Sequence, residues 1–175
     1  IIDLKLRMAT YLRKNGEIDE AKEILTTLVT NGNNNIPVQL QLFHIYMDNS
    51  DCSSAINMGQ ELFISMEENP RIPMENLSEL AFNIGVCYNQ EADVKYNLII
   101  DYYGADNKTK ELTNKNLNIC QETIDYYTLA KEYFRNSQAY EENPSETTKQ
   151  FKKEMRSKIK KVEQELIPSL EELLE

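Results

Sequence analysis

Leu12, Gly16 and Ala21 are answered 34 positions later by Tyr46, Ser50 and Ala55. A fixed period of this length, with small residues held in phase, restricts the chain to architectures built from one repeated supersecondary unit. Around these positions the apolar residues keep a helical period. Leu4, Met8, Tyr11 and Leu12 precede Gly16, and Ile18, Ala21, Ile24, Leu25 and Leu28 follow it. The next unit gives Leu42, Ile45 and Tyr46, then Ala55, Met58, Leu62, Phe63 and Met66. Each unit reads as two amphipathic helices joined by a short turn, which makes them antiparallel neighbours.

The turn has a physical logic. Gly16 can adopt the left-handed conformation that ends a helix without a Cβ penalty. Glu17, Asp19 and Glu20 then crowd the start of the next helix, where the macrodipole favours negative charge. Ala21 is expected where the two helices approach most closely, with no room for a larger side chain.

These residues resemble the tetratricopeptide repeat (TPR), a helix–turn–helix family. Met8-Ala9, Leu12, Gly16, Ala21 and Leu25 fill most of its slots in the first unit, and Leu42, Tyr46 and Ala55 match in the second. Phe43 there replaces a glycine, and Gly59 stands where an aromatic residue is usual. A third unit begins at "NIGVCY" (83–88) with Ile84, Gly85 and Tyr88, and its partner helix supplies Ala130, Phe134 and Pro144. Between them the apolar spacing continues through Ala92, Tyr96, Ile99 and Tyr103, pauses at "GADNKTK", and resumes at Leu112, Ile119, Thr123 and Tyr127. Two lengthened helices with a tip near Gly104–Lys108 are therefore expected, rather than a long structureless insert. The lengthened unit and the Asn- and Tyr-rich wording are similar to TPR proteins of Bacteroides-like bacteria.

After "ENPSETT", with Ser145 as a helix cap, Phe151, Met155, Ile159, Val162, Leu166, Leu170 and Leu173 alternate steps of three and four. This seam can cover the open side of the last repeat or pair with a second chain as a homodimer through residues 146–175. Pro168 should kink the helix or begin a short last turn. The expected fold is thus all-α: a right-handed α-α superhelix of three helical hairpins plus a C-terminal capping helix. Units fall at about 3–36, 37–70 and 73–144, with 145–175 as the cap of the same domain.

Charge narrows the partners. The net charge of −10 argues against nucleic acid, since phosphate binding needs basic clusters. Residues 149–161, "KQFKKEMRSKIKK", are the exception, with seven basic residues and one Glu; the stretch either lies over acidic neighbours or offers a docking stripe. No apolar run is long enough to span a membrane. The chain opens "IIDLKL", inside a first helix, so a further unit is expected upstream, and the compartment, bacterial cytoplasm or cell envelope, stays open. Cys52, Cys87 and Cys120 form no metal-binding or disulfide pattern and read as small apolar residues.

No catalytic or cofactor motif accompanies the single histidine, His44, so neither an enzyme, a metal nor a cofactor is expected. In TPR proteins the first helices line a concave groove that holds a peptide or a partner helix. By position, the resemblance implies a groove of Leu6, Thr10, Arg13 and Lys14, then Leu40, His44, Met47 and Asp48, then Glu79, Phe82, Val86, Asn89 and Gln90. The function implied is a non-enzymatic protein-interaction scaffold, with self-assembly through the terminal helix as the alternative. Leu6 and Thr10 occupy positions where the family's carboxylate clamp needs lysine and asparagine, so capture of EEVD-type tails is not expected. A small-molecule sensor would need the tyrosines Tyr96, Tyr102, Tyr103, Tyr126 and Tyr127 to wall a pocket, and their stacking between the long helices is the simpler expectation.

Overall fold

A computed structural model describes residues 1–141 and 145–175. Pro144, expected to end the second helix of the third unit, lies outside the described residues. All described elements are helical, with no strand among them. They are α1 (Ile2–Lys14), α2 (Ile18–Thr30), α3 (Ile36–Asp48), α4 (Cys52–Glu67), α5 (Met74–Gly104), α6 (Lys110–Ala139), α7 (Glu146–Lys161) and α8 (Ile167–Glu171). A π-helical turn, Val162–Leu166, joins α7 to α8, and a 3-10 turn, Glu172–Leu174, follows. The chain divides into two compact units, Ile1–Leu80 and Ala81–Glu175, the division falling inside α5.

In the first unit α1 packs on α2, α2 on α3 and α3 on α4, and α1 also reaches α3. The turns between helices show why the sequence repeats as it does. Gly16 has φ +84°, its N–H donates to the Arg13 carbonyl at 3.1 Å, and the Glu17 N–H donates to the Leu12 carbonyl at 2.9 Å. Ser50 has φ +55°, with the same two bonds from Ser50 to Met47 at 3.0 Å and from Asp51 to Tyr46 at 2.9 Å. Both are left-handed helix endings that satisfy carbonyls the last turn would otherwise leave bare. Asn35 and Asp51 then cap α3 and α4 by accepting from the N–H groups of Val38 and Ser54, each at 3.1 Å.

The core of this unit joins Ala9 and Leu12 of α1, Ala21, Leu25 and Leu28 of α2, and Val38, Leu42 and Ile45 of α3. Ala21 and Ala55 are wholly buried, as close helix approach requires. Three residues depart from the expected pattern. Leu4, Met8 and Tyr11 were counted on the apolar face of α1, yet they are 71%, 53% and 65% exposed. The face that α1 turns to α2 and α3 is the narrower Ala9–Leu12 stripe, and the other three lie beside it.

In the second unit the later part of α5 runs antiparallel to α6, and partners descend along α6 as they ascend along α5. Gly85 meets Ala130 and Phe134, Lys95 pairs with Glu122 at 2.6 Å, and Tyr102 bonds Thr113 at 2.6 Å. The two helices have 31 and 30 residues and are joined by residues 105–109. Thr109 caps α6 by accepting from the Leu112 N–H. Gly85 is there for space: a Cβ on it would stand 2.8 Å from Phe134 Cε1 and 3.2 Å from the Ala130 carbonyl oxygen.

The chain from α7 onward lies along α6. Ser145 caps α7 through the Thr148 N–H at 3.1 Å. Met155, Val162, Leu166 and Leu170 of its seam are buried, and Leu173 is exposed. Phe151 completes a ring cluster with Phe82 at 5.7 Å and Phe134 at 5.1 Å between centroids. Pro168 has no N–H to return to the preceding turn. The winding widens to the π-helical turn just ahead of it, and Pro168 takes its place in the first turn of α8. The thiols of Cys52, Cys87 and Cys120 are all buried.

Candidate functional site

On α1, residues 6, 7, 10, 11 and 14 follow one another at steps of one, three, one and three residues, which keeps them on one face. In the first unit this face, from Leu6, Arg7, Thr10, Tyr11 and Lys14, forms one wall of a cleft of about 550 Å³. Ile36, Pro37, Leu40 and Gln41 of α3 form the opposite wall. Met66 of α4, Ile72 of the following loop and Asn76 at the start of α5 close it. Four residues expected of a groove, Leu6, Thr10, Lys14 and Leu40, are thus brought together. Leu6 and Leu40 are half-buried, and Lys14 is exposed at the end of α1. The Thr10 hydroxyl donates to the Leu6 carbonyl at 2.9 Å, so its proton is already committed within α1. The Oε1 atom of Gln41 is buried without a hydrogen-bond partner.

The neighbouring polar residues do different work. Arg13 Nη1 and Asp48 Oδ2 pair at 3.0 Å, tying α1 to α3. Arg13 is therefore a strut between helices and not an open basic edge. His44 is half-buried on α3, and its ring meets Phe43 edge-on at 5.7 Å. Burial, and then the Arg13 guanidinium, hold its pKa below the ordinary value, against the opposing pull of Glu79 and Asp48. Met47 is half-buried beside it in sequence, and Glu79 is exposed on α5.

The remaining expected residues belong to the second unit. Phe82 packs into the Phe134–Phe151 cluster, and Asn89 accepts from Lys158 Nζ at 2.8 Å. The terminal helix has taken both, because an apolar ring and an amide on one face of α5 match the Phe151 and Lys158 that α7 presents two turns apart. Val86 is half-buried and Gln90 exposed.

Lys158 also anchors a part-buried polar group. Its Nζ lies 2.7 Å and 3.0 Å from the Asp93 oxygens, and Tyr127 donates its hydroxyl to Asp93 Oδ1 at 2.6 Å. Burial, and then the Asp93 hydrogen bond and charge, push the Tyr127 pKa far up. Part of the basic run at 149–161 thus neutralises an acid of its own unit. Tyr88 stacks on Tyr133 with centroids 5.7 Å apart and tilts against Tyr126 at 5.6 Å, so these tyrosines fill the space between α5 and α6.

Among the described residues, no group of three His, Cys, Asp or Glu side chains gathers as a metal cage would require. No helix among them is long and apolar enough to cross a membrane. Sequence reading missed most of the cleft: Arg7, Tyr11, Ile36, Pro37, Gln41, Met66, Ile72 and Asn76. One signal was available. Ile72 is a lone apolar residue between Pro70 and Pro73 in "NPRIPM", where a loop would otherwise be polar. Compared with protein-family models, curated proteins and solved structures, the chain matches none of them.

Proposed function

We propose that the chain is a non-enzymatic binding module, a right-handed stack of three TPR-like hairpins whose α1–α3 face holds a peptide or a partner helix. One observation carries this reading. The cleft of the first unit carries Leu6 on one helical wall and Ile36, Pro37 and Leu40 on the other, and such surfaces serve as anchor pockets for inserted side chains. The matching left-handed turns at Gly16 and Ser50, one repeat apart, support the hairpin reading.

The test is a selection from a displayed random-peptide library on the full chain. Enriched peptides should bind the unaltered protein and lose about tenfold or more in affinity to Leu40→Asp, which puts a charge in the apolar wall. Enriched peptides indifferent to Leu40→Asp would remove the groove from the reading.

Self-assembly through the terminal helix is the second reading, and burial counts against it. Met155, Val162, Leu166 and Leu170 already lie against their own chain, which leaves little of the seam for a symmetry mate. Sedimentation velocity of the full chain should give a monomer across micromolar concentrations. A concentration-dependent dimer would reinstate the alternative.

A further inference from the structure

We propose that the occupant of the α1–α3 cleft is an acidic segment, one that inserts a single large apolar side chain between carboxylates held by Arg7 and Lys14. The inference rests on the binding-module reading above and adds the chemistry of the partner. Its first support is a sign of charge. The chain carries 29 acidic residues against 19 basic ones, yet the cleft is lined by Arg7 and Lys14 and by no Asp or Glu. A locally positive rim around an apolar concavity, within a molecule of charge −10, selects acidic partners by local complementarity.

The second support is which cations are available. Arg13 is committed to Asp48 across the helices. Among the described residues Arg7 pairs with Asp3, one turn away on the same helix, and the two side chains are 78% and 75% exposed. Such a pair contributes little and opens readily to a competing carboxylate. Lys14 is exposed, with no ion pair among the described residues. The third support is spacing. Arg7 and Lys14 lie seven residues apart on α1, about 10 Å along the helix axis, with Thr10 and Tyr11 on the wall between them. An extended segment spans that distance in roughly three residues, so one that seats an anchor in the cleft can bring an acid within reach of each cation.

The library selection decides the matter when it is run in parallel on the unaltered full chain and on an Arg7→Glu, Lys14→Glu double variant. The expected consensus is a Leu, Ile, Met or Phe with Asp or Glu on both sides. Peptides of that class should bind the double variant about tenfold or more weaker, and the double variant should enrich basic flanks instead. If charge reversal unfolds the protein, as circular dichroism would show, Arg7→Gln with Lys14→Gln serves and the loss is smaller in the same direction. Cleft-dependent peptides with neutral or basic flanks, or acidic ones that bind the double variant undiminished, overturn the proposal while leaving a peptide groove in place. No peptide sensitive to Leu40→Asp overturns the groove itself, and the proposal with it.

Discussion

The ring of Phe134 occupies the space that a β-carbon on Gly85 would need, with its Cε1 2.8 Å from that position. The ring cannot simply move aside, because Phe82 and Phe151 stack around it at 5.5 Å and 5.1 Å. Gly85→Ala should therefore destabilise the chain by about 1–3 kcal/mol through overpacking. Urea unfolding followed by circular dichroism measures it. An unchanged midpoint would mean that the α5–α6 contact is looser than the geometry requires.

Ser50 and Gly16 end the first helices of successive units in the same left-handed conformation, yet only one of them is glycine. The serine bears a Cβ where the backbone resists it. Ser50→Gly should stabilise by a few tenths of a kcal/mol, while Gly16→Ala should destabilise by about 1 kcal/mol. Thermal melts of the two variants should move in opposite directions. Movement in the same direction would separate the two turns.

Asp93 accepts from both Tyr127 and Lys158, so its removal strands a buried hydroxyl and a half-buried ammonium. Asp93→Ala should cost about 1–3 kcal/mol, and Asp93→Asn less, since the amide oxygen still accepts from Tyr127. Chemical denaturation of both variants ranks them. Equal losses would assign the effect to charge rather than to the hydroxyl.

Stability should hold a plateau with a shoulder on each side. His44 has a folded pKa below its ordinary 6.5, so the unfolded chain binds the proton more readily. Its contribution is complete above that value and falls away as pH drops below it. Burial, and then Tyr133 and Tyr126, raise Tyr88 from 10.0 to about 12, and Tyr127 is raised as well. For these acids the unfolded chain loses its proton first, so stability falls as pH rises through the interval above 10. Melting temperature against pH should show both limbs, and His44→Gln should flatten the acid one below 6.5. An acid limb untouched by that substitution would place its origin elsewhere.

The periodicity of apolar residues located the helices, and "KNGEIDEA" located the first turn, because both signals are local. The same holds for Ser145 as a cap and for the tip between Gly104 and Lys108. The inward face of α1 was read too wide: Leu4, Met8 and Tyr11 have helical spacing but stay mostly exposed among the described residues. Periodicity defines a stripe, and only the packed neighbours decide how much of it is covered.

The fate of the expected groove residues divides the same way. Phe82 and Asn89 stand on one face of α5 by spacing alone, and nothing nearby in sequence says that Phe151 and Lys158 will claim them. Arg13 likewise looks like an open charge until Asp48, 35 residues away, is brought to it. The amino-acid order by itself determined helix, turn and the small residues at close crossings, since these follow from backbone sterics and i to i+4 geometry. Which side chains end up sheltered, paired or left facing a cleft was decided by tertiary structure alone, because that depends on contacts between residues far apart along the chain.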